Sequence, residues 1–526
     1  MAAAEAFRVL LVYPNYSMMK IPALAMGLFA AILKARGYEV AFFDSSLYAG
    51  EFESSHDDRR TGSFQYRRTA KIPGPEPLRD LHGDFRRRVL EFRPRAILVS
   101  TVEDTFQQGV RMLAGIRDLE IPTLVGGVFP TMAPEEALSF EPVRMVGIGE
   151  GEELIVDFCE RVRQGQDPAD TPGVWTRLPD GGLRRNPLRP LTDISRAAPD
   201  YGFFREHQFL RPWGGTIFRT ITVEGMRGCP YECTFCNSPA HNRLARQVGS
   251  KTFVREKSIE ALDAELAALM ESTAPGFIMF VDDSFLTRPF RHVEQWCRMY
   301  EKYRVPFWVN TRVESISPEK LAMLKAVGCH RLSFSIEHGN EAFRKKHLRK
   351  FFSNEQAVAG GRIVAESGIP FSMDVLIGLP FETRELLFDS VEIIRRIPGY
   401  DALTISIFTP YRGTRLREVA LEQGWLDPAA FPNGISGASM LRMPRPYLQR
   451  EDIEGLFRTF AMYCLFPKDR WAEIRRAESF DAEGDAAFAR LGAEYYEQKF
   501  GNRESTLPPQ EYLRGSGCRA ADNDSV

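Results

Sequence analysis

Apolar runs alternate with helical patterns along the first part of the chain. Between Phe7 and about Gln166, β-branched or leucine-rich runs predict strands at RVLLVYP, YEVAFFD, AILVST, TLVGG and RMVGIG. Patterns with helical spacing, such as ALAMGLFAAILKARG, separate these runs. Continuous apolar strands that alternate with helices are typical of parallel sheets covered on both faces. The pattern therefore predicts a doubly wound, Rossmann-like α/β domain over residues 5–166.

A second alternating series begins near Thr216. Its predicted strands are TITVEG, FIMFVDD, FWVNTR, RLSFSIE, FSMDVLIGLP and ALTISIFTP, and helical patterns such as SIEALDAELAALM and PEKLAMLKAVG separate them. Six β/α units are more than half of a Rossmann fold needs, and they suit a parallel barrel. We therefore expect a partial (β/α)6 barrel over residues 216–425.

Two further segments differ in texture from these series. Residues 167–215 are rich in Pro, Gly and Arg, which predicts a linker, with a hairpin turn at LPDGGL. Residues 426–526 carry helical patterns such as EDIEGLFRTFAMYCLF and DAAFARLGAEYYEQKF. They predict a mainly helical C-terminal region, and RGSGCRAADNDSV at its end predicts a frayed tail.

Composition gives no support for a nucleic-acid-binding protein, a membrane-spanning protein or a disulfide scaffold. Lys and Arg total 68 against 70 Asp and Glu, a formal charge of -2, so bulk charge gives no reason to expect a nucleic-acid partner. The apolar stretch 21–33 is too short to span a bilayer, and no targeting signal is evident. Cysteines are sparse outside one cluster, which indicates a reducing, cytoplasmic location rather than a disulfide scaffold.

That cluster is GMRGCPYECTFCNSPAH, which places Cys229, Cys233 and Cys236 within eight positions. Thiols this close are typical of metal ligands. One alternative is a zinc site with His241 as the fourth ligand. The other is an iron–sulfur cluster held by three cysteines, with one iron open to a further ligand. The loop follows the first strand of a β/α series, where barrel enzymes place their chemistry, and this favours the cluster.

The segment RGCPYECTFCNSP, with an aromatic residue before the last cysteine, resembles the cluster loop of radical SAM enzymes. Later strand ends continue the resemblance in order and spacing: FVDDSF, WVNTR, SFSIEHG, DVLIGLPFET and FTPYRGT. They are similar to the large subgroup of radical SAM enzymes fused to cobalamin domains. The resemblance covers about residues 5–425, and the motifs are specific only when taken together.

This resemblance implies a [4Fe-4S] cluster on the three cysteines and S-adenosyl-L-methionine (SAM) chelated to its fourth iron. Asp283 would help to hold the methionine amino end of SAM, and Ser335 and Glu337 would meet its ribose or methionine. The other SAM-site residues implied are Phe235 beside the cluster, and Ile377, Gly378 and Leu379 along the adenine. Ordinary structural roles are the alternatives: the aspartates at 282 and 283 cap a helix, or the Gly378 segment merely turns the chain.

The segments GGVFPTMAPEE and GIGEGEE resemble the cobalamin-binding domain of class B radical SAM enzymes. The resemblance places the corrin near Tyr16, Thr101, Val102, Glu103, Asp104, Thr105, Gly126, Gly127, Val128 and Glu150. One departure is the missing Asp-x-His-x-x-Gly motif, because no histidine precedes His56 and none lies between His82 and His207. The lower face of cobalt would then lack histidine. The alternative is a flavodoxin-like domain that binds nothing.

The function implied is methyl transfer from SAM, through methylcobalamin, to an unactivated carbon after a 5′-deoxyadenosyl radical abstracts hydrogen. A cobalamin-dependent oxidative cyclase or rearrangement enzyme is the nearest alternative, and a non-catalytic metal or cobalamin sensor is a more distant one. Tyr411 and Arg412, at the last barrel strand end, are candidates to face substrate. The expected partners are a small-molecule or natural-product substrate and an external electron donor such as a flavodoxin or ferredoxin.

Overall fold

The computed structural model describes residues 6–15, 21–49, 56–68, 76–432 and 438–501, with the backbone alone for 56–58. Tyr16 and the predicted frayed tail lie outside these residues. The strands of the first sheet are β1 Arg8–Tyr13, β2 Glu39–Asp44, β3 Ala96–Ser100, β4 Thr123–Gly126, β5 Met145–Gly147, β6 Val174–Arg177 and β7 Leu183–Arg185. The helices along this part are α1 Leu24–Lys34, α2 His56–Gly62, α3 Leu81–Phe92, α4 Glu103–Ala114, α5 Val128–Met132, α6 Pro134–Ser139 and α7 Leu154–Arg163.

The first sheet has the strand order β2-β1-β3-β4-β5-β6-β7, and β1 to β5 are parallel. Side chains of β1 alternate between two cores. Val9 and Leu11 lie in a core shared with α1 and the second sheet. Leu10 and Val12 lie in a separate core that α3 and α4 cover. Burial on both faces explains the unbroken apolar run, and it confirms the doubly wound prediction.

Residues 167–215 contribute strands to both sheets. The predicted turn at LPDGGL joins β6 and β7, which pair antiparallel, and the Leu178 amide donates to the Gly182 carbonyl at 2.8 Å. The hairpin is confirmed, and β6 continues the first sheet by pairing antiparallel with β5. Further along, α8 Glu206–Phe209 leads into β8 Leu210–Trp213, which pairs with the first strand of the second sheet. The segment is therefore packed against both sheets.

The second sheet is a curled half-barrel. Its further strands are β9 Thr216–Val223, β12 Phe277–Phe280, β13 Phe307–Arg312, β14 Cys329–Glu337, β15 Phe371–Ile377 and β16 Ala402–Ile407, and the short pair β10 Met226–Arg227 and β11 Arg255–Glu256 stands apart. The strand order is β16-β15-β14-β13-β12-β9-β8, and all strands except β8 are parallel. This confirms the partial barrel of six parallel strands.

Helices connect these strands and follow them. They are α9 Ser238–Gln247, α10 Ile259–Thr273, α11 Phe290–Tyr300, α12 Pro318–Ala326, α13 Glu341–Phe343 with a π-helical turn Arg344–Leu348, α14 Asn354–Ser367, α15 Arg384–Arg396, α16 Arg415–Glu422, α17 Arg450–Leu465, α18 Trp471–Ala477 and α19 Ala482–Phe500. Single 3-10 turns lie at Ser45–Leu47, Arg117–Leu119, Pro168–Asp170, Phe285–Thr287, Val313–Ser315 and Lys468–Arg470. Within the described residues, no helix has the length and apolarity needed to cross a bilayer.

Strand alternation divides the half-barrel into an apolar outside and a polar lumen. On β14, Phe334 and Ile336 are fully buried among the covering helices, whereas Ser335 lies on the opposite, lumen face. The register pairs Ser335 with Asp374 and Asp374 with Thr404, which sets three polar side chains in one row across the lumen. The lumen can therefore take a polar ligand.

Residues 59–68, here called the edge segment, come from the first domain and cover the β16 edge of the half-barrel. The Leu403 amide donates to the Gln65 carbonyl at 3.2 Å, and the Ile405 amide donates to Gln65 Oε1 at 2.8 Å. Phe64 packs against Phe488 of α19 with ring centroids 5.2 Å apart. The segment thus satisfies backbone donors that an open sheet edge would leave unpaired.

Candidate active site

The cysteine loop lies between β10 and α9, directly after the first parallel strand of the half-barrel. Gly228 starts it with φ +94°, and a Cβ there would stand 2.9 Å from the Phe253 carbonyl oxygen, so only glycine fits this turn. Asn242 ties the loop down, because its Nδ2 donates to the Cys229 carbonyl at 2.9 Å and its Oδ1 accepts from the Phe253 amide at 3.0 Å. Packing at Gly228 and the bonds of Asn242 therefore hold the start of the loop.

A buried carboxylate fixes the approach to this loop. Asp282 Oδ1 accepts from the amides of Gly225 at 2.7 Å and Met226 at 3.0 Å. Its Oδ2 lies 2.6 Å from Arg288 Nη2, and both side chains are essentially inaccessible to solvent. Asp282 therefore anchors the backbone before the cysteines, rather than capping a helix.

Hydrogen-bond donors lie next to two of the three loop thiols. Arg312 Nη1 donates to Cys233 Sγ at 3.3 Å, and its guanidinium stacks on the Tyr231 ring 3.6 Å from the centroid. The Ser238 amide lies 3.5 Å from Cys236 Sγ. Such donors stabilise sulfur that carries negative charge, as cluster ligands do. The donor set fits a loop that holds an iron–sulfur cluster.

Burial has the largest effect on the pKa values of the cysteine thiols in this loop. It raises the pKa of Cys229 to about 12, and the charges of Asp283 and the other two loop cysteines act in the same direction. Burial also raises the pKa of Cys236. These neighbours show that the three cysteines and Asp283 share one small region. The three predicted cluster ligands therefore lie close to Asp283, one of the residues that the sequence assigns to SAM.

His241, the fourth ligand of the zinc alternative, stacks on the Phe253 ring at 4.8 Å between centroids. Its Nδ1 is buried without a hydrogen-bond partner, and burial lowers its pKa. In the described part of the chain, no group of three or more His, Cys, Asp or Glu side chains is arranged to hold a single metal ion.

A cavity of about 610 Å³, here called the interdomain cavity, separates the first domain's strand ends from the cysteine loop. Of the predicted cobalamin-site residues, it is lined by Thr101, Val102, Gly126, Gly127, Val128 and Glu150. On the half-barrel side it is lined by Cys236, His241 and Asp283. The cavity joins the residues predicted for two different cofactors, which is the arrangement a two-cofactor enzyme requires.

Gly126 and Gly127 are neighbours on the wall of the interdomain cavity, but a different physical reason explains the glycine at each position. Gly127 has φ +109°, and a Cβ would stand 2.2 Å from the Thr101 carbonyl oxygen, so strand packing alone requires glycine there. A Cβ on Gly126 would meet nothing closer than 3.9 Å. Packing therefore does not demand glycine at 126, and the bare backbone there leaves the cavity wall flat enough for a planar group.

Glu150 joins the first domain to the half-barrel at the wall of the interdomain cavity. Its carboxylate accepts from Arg227 Nη1 at 2.7 Å, from Arg255 Nη1 at 2.8 Å and from the Thr192 amide at 2.7 Å. Burial acts to raise the pKa of Glu150, but the two guanidinium groups outweigh it and hold the pKa below its usual range. Glu150 lines the cavity as predicted, while its carboxylate binds arginines of the half-barrel.

Tyr411 and Arg412 lie in a second contact between the domains. Tyr411 OH donates to Asp104 Oδ2 at 3.0 Å, and the Arg412 amide donates to Glu103 Oε2 at 2.8 Å. The buried Arg412 guanidinium also pairs with Glu103 and Glu136. Neither side chain lines the interdomain cavity. Their substrate-facing role stays a prediction, and so do the corrin contacts of Glu103 and Asp104.

Thr105 is buried within α4, and its Oγ1 lies 3.4 Å from the Val102 carbonyl as a donor. It does not line the interdomain cavity. The place predicted for Thr105 near the corrin stays a prediction.

Asp283 lines the interdomain cavity at the end of β12. Enclosure in the cavity raises its pKa to about 6, and the Glu224 and Asp282 carboxylates add to the rise. Lys350 organises the end of β14: its Nζ donates to Ser335 Oγ at 3.3 Å and to Glu337 Oε1 at 3.2 Å. Glu337 has φ +58°, an unusual conformation for a residue with a Cβ.

At the fifth strand end, Glu382 Oε2 accepts from the amides of Gly378 at 2.6 Å and Leu379 at 3.1 Å. Gly378 has φ +75°, so the segment does turn the chain. The side chains of Ile377 and Leu379 are fully buried in the core. They can meet an adenine only through their backbone. Phe235 is half-buried and packs against the same core.

The sequence did not predict several residues that contact the predicted site residues and hold them in place. Arg312 lies inside the motif WVNTR, but its role depends on Cys233, 79 positions earlier. Lys350 lies in HLRKFF and looks like surface charge, yet it is 2% exposed. Glu382 Oε1 lies 3.1 Å from His338 Nε2 in the core, in a geometry that does not form a hydrogen bond. The one sequence signal that could have identified these supporting residues is a charged side chain within or next to a strand-end motif.

A second cavity, here called the lumen cavity, has a volume of about 440 Å³ inside the half-barrel. Asp374 lies on its wall. Burial raises the pKa of Asp374 to about 7, and the Glu337 carboxylate adds to the rise, while Thr404, Arg60 and Lys350 oppose it. The carboxyl is therefore held near the point where it exchanges a proton at neutral pH.

Replacing Asp374 by asparagine is expected to stabilise the protein relative to wild type at pH 8 but not at low pH. The folded chain binds the Asp374 proton up to about pH 7, whereas the unfolded chain releases it near pH 4. Stability is therefore lost as pH rises through this window. Urea unfolding should show a relative gain of about 1–3 kcal/mol between pH 5 and pH 8. Ser372→Ala, on the same wall, should lack the trend, and a gain independent of pH would contradict the assignment.

The half-barrel has six parallel strands and a three-cysteine loop after the first of them. Residues 223–394 match the model of the radical SAM superfamily. The matched segment runs from the end of β9 into α15, so the similarity to this superfamily lies on the half-barrel and its cysteine loop.

Solved structures extend the likeness to the first domain. The cobalamin-dependent SAM radical enzyme OxsB with aqua-cobalamin has a TM-score of 0.64 at 14% identity, over 94% of this chain and 72% of that one. The radical SAM methyltransferase TsrM from Kitasatospora setae, with cobalamin and a [4Fe-4S] cluster, has a TM-score of 0.60 at 15% identity, over 94% and 100%. At these identities the likeness shows the shared fold: a Rossmann-like domain before a radical SAM half-barrel.

Curated relatives are distant. An uncharacterized methyltransferase of Pyrococcus horikoshii is 25% identical over 58% of this chain and 64% of its own. The anaerobic magnesium-protoporphyrin IX monomethyl ester cyclase of Rubrivivax gelatinosus is 22% identical over 63% and 60%. The cytidylyl-2-hydroxyethylphosphonate methyltransferase of Streptomyces wedmorensis is 22% identical over 77% and 79%. The chain spans less than two thirds of the length of the first two relatives.

Proposed function

We propose that this protein is a cobalamin-dependent radical SAM methyltransferase that acts on an unactivated carbon of a small-molecule substrate. The observation that carries the proposal is the interdomain cavity, in which strand ends of the first domain face Cys236 and Asp283 of the half-barrel. The names of two relatives and of one structural neighbour as methyltransferases support the reaction type.

The residues present fit the three groups. Cys229, Cys233 and Cys236 would hold the cluster, and Asp283, Ser335 and Glu337, with the backbone at Gly378, would hold SAM. Thr101, Val102, Gly126, Gly127 and Val128 would lie against a corrin. When bound, these groups supply a hydrogen-abstracting adenosyl radical and a transferable methyl group.

The chain's own residues fix the distance between the two halves of the site. The ion pairs of Glu150 with Arg227 and Arg255 join the first domain to the half-barrel at the wall of the interdomain cavity. Arg412 with Glu103 forms a second contact, buried on both sides. Fixed spacing orients reacting groups and keeps water out, which is the protein's part when cofactors carry the chemistry.

We further propose that residues 5–166 form the cobalamin domain, 216–425 the radical SAM half-barrel and 426–526 a cover over it, with 167–215 connecting them. An external one-electron donor of the flavodoxin or ferredoxin class would supply reducing electrons. The Arg412 and Tyr411 side chains would act in domain contact rather than on substrate.

The proposal is tested by anaerobic purification and reconstitution with iron, sulfide and cobalamin. We expect about four irons and four labile sulfides per chain, together with bound corrin. The triple variant Cys229→Ala/Cys233→Ala/Cys236→Ala should lose iron and sulfide but keep the corrin. Cys297→Ala, which removes a buried cysteine of α11, should keep both. Bound zinc without labile sulfide in the purified protein would contradict the proposal.

The reaction type is tested by SAM turnover with panels of candidate small molecules. Methyl transfer predicts 5′-deoxyadenosine together with S-adenosylhomocysteine, and a product heavier by one CH2 group. The cyclase relative of Rubrivivax gelatinosus favours one alternative, cyclisation or rearrangement without methyl transfer. That alternative predicts 5′-deoxyadenosine without S-adenosylhomocysteine.

A further inference from the structure

The lumen cavity concentrates positive charge in a chain whose formal charge is -2. Its wall carries five cationic side chains and two carboxylates, an excess of three positive charges: Arg60, Arg67, Arg211, Arg331 and Lys499 against Asp374 and Asp401. A cavity lined by one sign of charge focuses its field on a ligand of the opposite sign. The cavity is therefore suited to an anion.

Within the described part of the chain, most of these cations lack a carboxylate in direct contact and lie instead against ring faces: Arg60 by Tyr66, Arg67 by Phe500, Arg211 by Trp213 and Lys499 by Tyr400. Arg331 pairs with Asp401. Among the described residues, Arg60, Arg67, Arg211 and Lys499 have no carboxylate within ion-pair distance. Arg60 Nη2 donates to Ser406 Oγ at 3.2 Å, but its Nε is buried without a hydrogen-bond partner. A buried donor without a partner costs free energy unless a ligand supplies the acceptor.

Two of these arginines come from the edge segment. Arg60 and Arg67 reach the lumen from residues 59–68 of the first domain, and the bonds of Gln65 to Leu403 and Ile405 fix that segment against β16. Lys499 enters from the end of α19, where its Nζ donates to the Tyr400 carbonyl at 2.7 Å. The edge segment, α19 and, through Arg211, β8 thus bring cations from three separate parts of the fold to one cavity.

Aromatic rings form much of the remaining wall: Tyr66, Trp213, Trp308, Tyr400 and Phe500. The Trp213 and Trp308 rings are tilted by 32° with centroids 5.9 Å apart, and Trp213 is backed by Phe277, on which it stacks at 4.7 Å. Flat rings of this size pack best against a flat, unsaturated ligand body. The cavity therefore pairs an anion-binding region with a surface for a planar group.

The other end of the lumen cavity approaches the interdomain cavity. Asn310 lines the lumen cavity, and its Nδ2 lies 3.5 Å from the Asp283 carbonyl oxygen as a donor. Asp283 lines the interdomain cavity, and Asn310 Oδ1 is buried without a partner. A ligand anchored among the arginines would therefore extend toward the cluster side of the half-barrel.

We propose that the lumen cavity binds the substrate and that this substrate is a small planar molecule carrying a carboxylate or phosphate group. Arg60 and Arg67 anchor the anion, and the rings of Trp213 and Trp308 hold the planar body. The inference rests on the proposed function for the anion's identity as substrate. The anion site itself can be tested without SAM or a corrin.

The test is calorimetric binding to the full chain of benzoate, phenyl phosphate and neutral benzamide. We expect either anion, or both, to bind at least about tenfold more tightly than benzamide; the tighter anion tells which group the substrate carries. Arg60→Gln and Arg67→Gln should each weaken the anion by about tenfold or more. Arg68→Gln, a neighbour that stacks on Tyr496 outside the cavity, should change it less than about twofold.

Arg211→Gln on β8 is a second variant in case changes to the edge segment disturb folding, and it should also weaken anion binding. Equal binding of benzamide and both anions would overturn the inference, as would anion binding that none of the three lumen variants weakens. Iron content and SAM cleavage of the same preparations separate the two proposals. No anion binding by a chain that holds its cluster overturns only this inference. Anion binding by a chain that never assembles a cluster overturns only the proposed function.

Discussion

Replacing Arg412 by methionine is expected to lower the stability of the protein by about 3–5 kcal/mol. Arg412 is 4% exposed and pairs with Glu103, whose side chain is 5% exposed. Removing the guanidinium leaves a buried carboxylate without its cation, which costs far more than losing a surface pair. The measurement is urea unfolding, with limited proteolysis between the domains as a second reading.

The matched control is Arg415→Met, three residues further along, whose pairs with Glu418 and Glu422 are exposed. It should leave the unfolding midpoint nearly unchanged. The double variant Glu103→Gln/Arg412→Met removes both charges and should recover much of the loss. If Arg412→Met unfolds like wild type but stops turnover, Arg412 acts on substrate, as its position at the last barrel strand end predicts.

Replacing Asp282 by alanine is expected to cost about 3–5 kcal/mol and to abolish retention of the cluster. The carboxylate accepts from the Gly225 and Met226 amides and pairs with Arg288, whose side chain is 1% exposed. Without it, the backbone leading into the cysteine loop loses its acceptor and Arg288 loses one of its carboxylates. Urea unfolding and iron content after anaerobic reconstitution measure the two effects.

Asp282→Asn keeps an acceptor oxygen but not the charge, so its loss should be smaller than that of alanine. Asp118→Ala removes a carboxylate whose pair with Arg86 is exposed, and it should alter neither stability nor iron content. Normal iron content in Asp282→Ala would show that the loop holds its shape without this anchor.

The distinction matters because Asp282 and Asp283 are adjacent yet have different environments. Asp282 is 2% exposed and bonded on both oxygens, while Asp283 opens into the interdomain cavity. One positions the backbone of the loop, and the other is available to a ligand. Substitutions at these two positions should therefore separate cluster assembly from SAM binding.

Local pattern was sufficient for the strands, the hairpin and the cysteine loop. Alternating apolar runs dictate parallel strands because buried strands have apolar residues on both faces, as Leu10 and Leu11 of β1 do in separate cores. Three cysteines in eight positions limit the chemistry because the spacing itself brings the thiols into one loop. Both signals are contained in short stretches of chain.

Tertiary structure decided which side chains support the site. Arg60 meets Ser406 across 346 positions, and Arg412 meets Glu103 across 309. The hydrophobic periodicity of the sequence cannot predict such pairs, because they form only when the edge segment covers β16 and the two domains pack against each other. The sequence by itself determined the two folds and the cluster loop, since spacing and burial pattern are local. The arginine-lined lumen and the buried ion pairs between the domains depend on long-range packing, which only the folded chain shows.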